Sequence, residues 1–322
     1  MDHLRRLGGR IAIPIRSDEA GFLGRECPQP SCEGYFKIQV GTGLKGEGLP
    51  CHCPYCGHTA GHDHFWTKEQ IEYAKSVATR KITDAVYRDL KSMEFEHKPR
   101  GPFGIGISLT VKPGRPIPIR YYREKKLETE VVCTNCTLRY SVYGVFAFCP
   151  DCGQHNSLQI LQKNLELVGK VLDLAATAQG EIAENLIENA LEDCVSAFDG
   201  FGRELCRVHK DRAADPTRVE RISFQNLEAA RQGISGLFSV DLAAQLTPDA
   251  WQAAVVGFQK RHLIAHKMGI VDQEYITKTG DTRAVVGRKI SVGAGEVTDL
   301  SQVVSKLARG LRGQLTEAGE NS

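Results

Sequence analysis

Eight of the eleven cysteines in this 322-residue chain fall into four close pairs before residue 153: Cys27/Cys32, Cys53/Cys56, Cys133/Cys136 and Cys149/Cys152. Two of the pairs repeat one pattern, Cys53-Pro54-Tyr55-Cys56-Gly57 and Cys149-Pro150-Asp151-Cys152-Gly153. Two intervening residues let both sulfurs reach one tetrahedral ion, and the glycine allows the tight turn that follows. Each of these knuckles has an upstream partner pair. Twelve residues separate Cys136 from Cys149 and twenty separate Cys32 from Cys53, enough in each case for a hairpin.

Both sets resemble zinc ribbons. Four soft thiolates suit Zn²⁺ and leave no open coordination position. The expected ligands are Cys27, Cys32, Cys53 and Cys56 for one structural zinc, and Cys133, Cys136, Cys149 and Cys152 for a second. Cys51 is an alternative to Cys53, although the parallel with the second knuckle favours Cys53 and Cys56. His52, His58, His62 and His64 cluster nearby and read as loop histidines rather than as a further metal site.

Reduced cysteines fit an expected cytoplasmic setting. Met1-Asp2-His3-Leu4-Arg5-Arg6 leads into no apolar stretch of signal-peptide kind, and no apolar run approaches the ~18 residues of a membrane span. Net charge is only +2, so any nucleic-acid affinity has to come from local clustering. One such cluster lies at residues 97–126. There Lys98, Arg100, Lys112, Arg115, Arg120, Arg123, Lys125 and Lys126 face a single acid, Glu124, with Tyr121 and Tyr122 inside the run. Basic groups beside aromatic rings suit a phosphate backbone with splayed bases, and Arg115, Arg120, Tyr121, Tyr122, Arg123, Lys125 and Lys126 are the candidate contacts. A solvated strand edge protected by charge is the competing reading.

The expected architecture is multidomain. A zinc ribbon occupies residues 1–66 and a connecting helix 67–96, with Thr67 as N-cap and Ile71, Ala74, Ala78, Ile82, Ala85, Val86, Leu90 and Met93 at helical spacing. A breaker run, His97-Lys98-Pro99-Arg100-Gly101-Pro102, ends it. A basic β segment and second ribbon fill 97–156, with Ile105–Val111 read as a strand. An all-α region spans 157–322. Within it Ile182, Leu186, Ala190, Cys194, Phe198, Phe201 and Leu205 form one apolar stripe, opposite Glu181, Glu184, Glu188 and Glu192. A helix is expected from about Arg221 to Gly236. Thr247-Pro248-Asp249 opens another, with Trp251, Ala254, Val255, Phe258 and Ala265 on its apolar side and Gly269 as its stop. A hairpin-like segment around 284–294 and a last helix from Leu300 to Leu311 follow, then a frayed tail from 314.

The Thr247 helix carries Phe258-Gln259-Lys260-Arg261-His262-Leu263-Ile264-Ala265-His266-Lys267-Met268-Gly269-Ile270-Val271-Asp272. Arginine, four residues, then histidine is similar to the R-x4–6-H motif of HEPN domains, as are the aromatic before the arginine and the Gly-Ile-Val-Asp after the histidine. The resemblance covers residues 157–322. It implies a HEPN-like helical bundle acting as a homodimer, with the motif helices of two subunits forming one cleft that cleaves RNA without a metal ion. Arg261 and His266 would be catalytic. Where the family often has Asn after the arginine, this chain has His262, a supporting candidate that also reads as a core or interface histidine. An acid from an earlier helix is common in the family, and Asp193 is the candidate. The geometry agrees with a shared cleft, because residues five apart lie about 140° around a regular helix.

The chemistry suits these residue types. Ribose supplies its own nucleophile, histidine can move its proton, and arginine can hold the scissile phosphate. His266 lies near a helix C-terminus, where the helix dipole favours imidazolium. The resemblance also implies a toxin or antiviral-defence effector with RNA as substrate and a possible antitoxin or trigger protein as partner, and no membrane association. The competing expectation is a non-catalytic regulator whose ribbons bind nucleic acid or protein and whose helical region dimerises. Cys194 and Cys206 read as core residues.

Overall fold

A computed structural model describes residues 2–46, 48–97 and 107–317. Lys98, Arg100, the rest of the 98–102 breaker run, Ile105, Gly106 and the tail from 318 lie outside the described residues. The chain divides into two compact units, Met1–Gln154 and His155–Ser322. Small antiparallel sheets occupy the first and helices the second.

In the first unit, β1 (Phe22–Glu26) and β2 (Tyr35–Gln39) form a hairpin whose turn is the Cys27–Cys32 knuckle. The same construction recurs with β7 (Thr129–Val132) and β8 (Arg139–Val142) around Cys133–Cys136. The two hairpins join edge to edge through β2 and β8, where Lys37 opposes Ser141 and Ile38 opposes Tyr140, giving one sheet in the order β1-β2-β8-β7. A smaller hairpin, β3 (Pro50–His52) and β4 (Thr59–Gly61), carries Cys53–Cys56 in its turn. The two Cys-Pro-x-Cys-Gly knuckles then bond to each other reciprocally. His52 donates its N–H to the Pro150 carbonyl at 2.8 Å, and Phe148, in the equivalent place before Cys149, donates to the Pro54 carbonyl at 2.8 Å. Sheet order and reciprocal bonds together describe a pseudo-two-fold relation between the two cysteine sets. Phe36, Tyr140, Leu138, Val142 and Phe65 fill the space around them and are at most 2% exposed.

The short helix α1 (Asp2–Arg6) begins the chain, and the long helix α2 (Lys68–Lys91) leaves the first cysteine set. Thr67 caps α2 with a reciprocal Gln70 box, as its sequence indicates. The helix stops at Lys91, earlier than the expected 96. Phe95–His97 instead forms β5, which pairs with β6 (Ile107–Leu109). A second difference concerns its faces. Ser76, Ala85 and Asp89 are buried, while Ile71, Ile82, Val86, Leu90 and Met93 are exposed. Polar demand explains the inward face. Asp89 accepts the backbone N–H groups of His3 and Leu4 at 2.8 and 3.0 Å, and Ser76 accepts that of Arg120 at 3.0 Å, which satisfies donors that have no helix or sheet partner.

The second unit packs α3 (Ser157–Thr177), α4 (Glu181–Val208), α5 (Leu227–Phe238), α6 (Pro248–Lys267), α7 (Gln273–Thr279) and α8 (Ala294–Glu317). The α4 stripe from Ala190 to Leu205 is buried as expected, but Ile182, about two turns before the core begins, is 67% exposed. Phe198 sits at the centre, edge-on to Phe224 and Phe258 at 5.6 and 6.1 Å, an arrangement that aligns ring edges with ring faces. Gly202 is obligatory here, because a Cβ would lie 2.5 Å from the Phe224 ring.

Several boundaries differ from the sequence reading. Residues 216–221 form a 3-10 turn, and α5 starts only at Leu227, where the Asn226 side chain accepts the Ala229 N–H. Thr247 and Pro248 open α6 as expected, yet Ala265 is exposed and Leu263 takes the core place near its end. The 284–290 segment does not fold back on itself as a hairpin. It lies along residues 269–271, with Ile270 bridging Lys289 and the Val271 N–H donating to Arg288. The last helix exceeds the expected Leu300–Leu311 at both ends because Val297 and Leu315 are also buried.

Candidate functional site

Local turns position the sulfurs. Each pair closes when the residue after its second cysteine takes a left-handed conformation: Glu33 (φ 44°), Gly57 (71°), Thr137 (64°) and Gly153 (67°). Each of these residues donates its N–H to the carbonyl four residues back, within 2.9–3.0 Å. Glycine adopts such a turn freely, whereas threonine adopts it against its Cβ. The result brings four sulfurs together twice, Cys27, Cys32, Cys53 and Cys56 in one group and Cys133, Cys136, Cys149 and Cys152 in the other, each within 4.8 Å of one another. Cys27–Cys56 and Cys32–Cys53 are 3.7 Å apart, Cys133–Cys152 3.7 Å and Cys136–Cys149 3.4 Å. Sulfurs about 2.3 Å from a tetrahedral ion lie about 3.8 Å from one another, whereas a disulfide needs about 2.05 Å. The donor sets therefore fit a metal ion and are compatible with zinc ribbons.

Cys51 is outside the first group. It is fully buried on β3, and burial pushes its thiol up to about 12 despite the nearby Arg25 guanidinium. Among the described residues no histidine joins either group. His58 instead shares a 3.0 Å hydrogen bond with Gln29, and His52 one of 2.8 Å with Thr59.

The second candidate centre is the C-terminal end of α6. Met268 caps it in a left-handed conformation, with the Met268 and Gly269 N–H groups turned back onto the Leu263 carbonyl. One turn apart, His262 and His266 bring their rings to 5.0 Å. His266 is exposed and His262 half-buried. Burial, joined by the positive charge of His266 and Lys267, moves His262 below the usual imidazole range. The shift favours the neutral ring, the form that accepts a proton.

Arg261 donates from a terminal nitrogen to the Gln225 side-chain oxygen at 3.3 Å, while its buried Nε has no partner among the described residues. Gln225 reaches back to Asp199 at 3.5 Å. Asp199 is 8% exposed and also receives the Phe224 N–H at 2.6 Å and Arg203 Nε at 3.1 Å. The arginine is therefore held from behind by a relay that the sequence reading did not contain. Its signal was available, since Asp199 is an acid between Phe198 and Phe201 on the buried side of α4. Asp193 is exposed on the same helix. Lys267, Asp272, Glu274 and Lys278 form an ion-paired group next to the histidines.

The basic segment runs extended along α2. Tyr121 is 79% exposed, and its ring lies 6.1 Å from Tyr73. Tyr122 is half-buried, 5.6 Å from the same ring. Glu124, the one acid of the run, turns inward and accepts from the Tyr35 hydroxyl at 2.5 Å and from Gln70 at 3.1 Å. That leaves Arg115, Arg120, Arg123, Lys125 and Lys126 exposed without an interspersed acid. Arg120 is engaged by Glu72 at 2.7 Å and Lys125 lies over the Tyr35 ring at 4.9 Å. No helix among the described residues is long and apolar enough to cross a membrane.

A scan against protein-family models, a search of curated proteins and a search of solved structures each gave no match.

Proposed function

We propose that the second unit is a HEPN-type endoribonuclease domain and that the first unit, holding two structural Zn²⁺ ions, delivers RNA to it. The observation that carries this reading is the end of α6, where a neutral-leaning imidazole, a second imidazole 5.0 Å away and a guanidinium with an unspent buried Nε share one helix terminus. Arg261 binds the scissile phosphate and is held by Gln225 and Asp199. His262 takes the proton from the ribose 2′-OH, whose oxygen forms a bond to phosphorus as the bond to the 5′-oxygen breaks. His266 returns a proton to that leaving oxygen. The products are a 2′,3′-cyclic phosphate and a 5′-hydroxyl, and the step consumes no other reactant. General acid–base help of this kind contributes roughly 10²–10⁴-fold, and arginine stabilises the added charge on the phosphoryl oxygens.

Arg261 and His266 diverge by about 140° around one helix. Two copies of α6, facing each other in a homodimer, bring the arginine of one subunit to the histidine of the other. A toxin or defence role, and control by an antitoxin or trigger protein, belong to this same reading. The test is cleavage of single-stranded RNA by the zinc-loaded protein, with analysis of product ends. Wild-type protein yields cyclic phosphate ends and the Arg261→Ala/His266→Ala double variant yields none. Equal cleavage by both proteins, or 3′-hydroxyl ends, contradicts it.

The exposed Tyr121 beside Arg115, Arg123 and Lys126 favours one further reading, a ribbon unit that binds single-stranded nucleic acid while the helical unit only dimerises. Retardation of RNA on a gel by wild-type protein, with no cleavage under any condition, selects it.

A further inference from the structure

The face of α6 turned away from His262 and His266 borders a cavity that the RNA chemistry does not use. It has a volume of about 240 Å³ and lies between α6 and α8. Its origin is visible in the sequence. Ala253, Ala254 and Gly257 present almost no side chain where Val297, Leu300 and Val303 of α8 approach. A Cβ at Gly257 would sit 3.0 Å from a methyl of Leu300, so the missing carbon lets Leu300 of α8 close over α6 at the edge of the cavity. A second, more polar chamber of about 300 Å³ adjoins it, and Lys260, Arg283 and Glu296 belong to the walls of both.

The polar chamber has a definite sign. Lys260 is 6% exposed and spends its three protons on the Ser291 carbonyl (3.0 Å) and both Glu296 oxygens (2.9 Å each). That pair is neutral. Lys289 also stands on the wall of this chamber, and its charge is met by Glu188 at 3.1 Å. Asp281 accepts from the Tyr275 hydroxyl at 3.0 Å and from the Arg283 N–H at 3.0 Å, and its ion-pair contact with the Arg283 side chain is long, at 3.8 Å. Arg283 keeps 86% of its side chain exposed, and Arg288 is exposed at the same rim. One guanidinium, Arg283, thus stands on the wall shared with the aliphatic pocket, and a second, Arg288, lines the adjoining polar chamber.

We propose that this paired cavity binds an aliphatic carboxylate, with the chain between α6 and α8 and the carboxylate on Arg283 and Arg288. Arginine forks match carboxylate geometry, and a largely apolar chamber with a few convergent polar groups is the usual form of a small-ligand site. A nucleotide fits the walls less well. Among the described residues no aromatic ring lines either chamber, so a base finds nothing there to stack on.

The experiment is isothermal titration of the full-length, zinc-loaded protein with sodium decanoate, decan-1-ol and AMP. Decanoate binds saturably at one per chain, and decan-1-ol binds more weakly because it lacks the charge. The Arg283→Glu/Arg288→Glu variant alters only exposed groups and weakens decanoate about tenfold or more, a change of about 1.4 kcal/mol. Gly257→Leu fills the apolar chamber and abolishes binding, while its circular dichroism reports whether the helices remain. The proposal is overturned if decanoate gives no saturable heat, if the charge-reversed variant binds it as well as wild type does, if decan-1-ol matches decanoate, or if AMP binds more tightly than decanoate. No RNA is present in this titration, so its outcome and that of the cleavage assay are separate.

Discussion

The two units of this chain are held together by different means. In the first, six of the fourteen residues in the buried cluster are cysteines, and the sheets around them are short. In the second, thirty buried residues form the cluster and only two are cysteines. The first resembles a small domain whose apolar surface is too limited to offset chain entropy, which is the usual circumstance of a structural metal. The second buries a large aliphatic and aromatic cluster that needs no metal ligand within it. Rigidity is consequently placed by ligation in one unit and by packing in the other, and perturbations should separate them.

The largest separation is expected from metal removal. Binding energies for structural zinc are of order 10–16 kcal/mol, so a chelator should unfold the first unit and leave the second helical. Near-ultraviolet dichroism from the ribbon tyrosines should collapse while the 222 nm helical signal largely persists. Because β2 and β8 fuse the two hairpins and the two Cys-Pro-x-Cys-Gly knuckles bond to each other, Cys149→Ser alone should also loosen the first cysteine set. A bound-metal ratio that drops from two to well below one per chain would show this, whereas a ratio of one would show independent ribbons.

The reverse perturbation is Phe258→Ala. This ring is 1% exposed against Phe198, and its loss should cost about 3–5 kcal/mol. Calorimetry should show the helical transition shifted down with two metal ions still bound.

Acid gives the next contrast. Burial opposes ionisation of Glu204, but hydrogen bonds from Arg207 and His155 outweigh it and hold the carboxyl at about 2, below its ordinary 4.5. A depressed folded value means stability present above about 4.5 and lost as pH falls towards 2, on the order of 3 kcal/mol in all. The Glu204→Gln variant should unfold with a visibly flatter acid limb in that window.

Thr137→Gly should give the smallest effect. Its φ of 64° strains a β-branched residue, and relief of that strain is partly cancelled by the added freedom of glycine in the unfolded chain, leaving a gain under about 1 kcal/mol. The midpoint of metal-dependent unfolding measures it. The reverse change, Gly153→Thr, should be harmful.

This contrast also explains what the sequence disclosed. Cysteine spacing identified both sulfur groups because ligand geometry is local, and Thr67 and Thr247 marked helix starts because a cap is a local device. Pairing of β2 with β8 joins residues about a hundred positions apart, and no pattern within either hairpin encodes it. Helical periodicity located α2 but not its buried face, since the inward choice was made by Asp89 and Ser76 serving distant N–H groups. Arg261 and His266 were legible as a motif. Asp199 was legible as an acid on the buried side of α4, but its link to Arg261 through Gln225 was not, because that link depends on how the α4–α5 connection passes α6.

The proposed cleft can be tested by mixing two defective chains, one Arg261→Ala and the other His266→Ala, co-expressed with different tags and purified as the mixed species. If the arginine of one subunit works with the histidine of its neighbour, each homogeneous variant is silent and the mixed dimer regains RNA cleavage at a cyclic phosphate end. A silent mixture, a monomeric wild-type protein, or wild-type protein that leaves RNA intact contradicts the shared site.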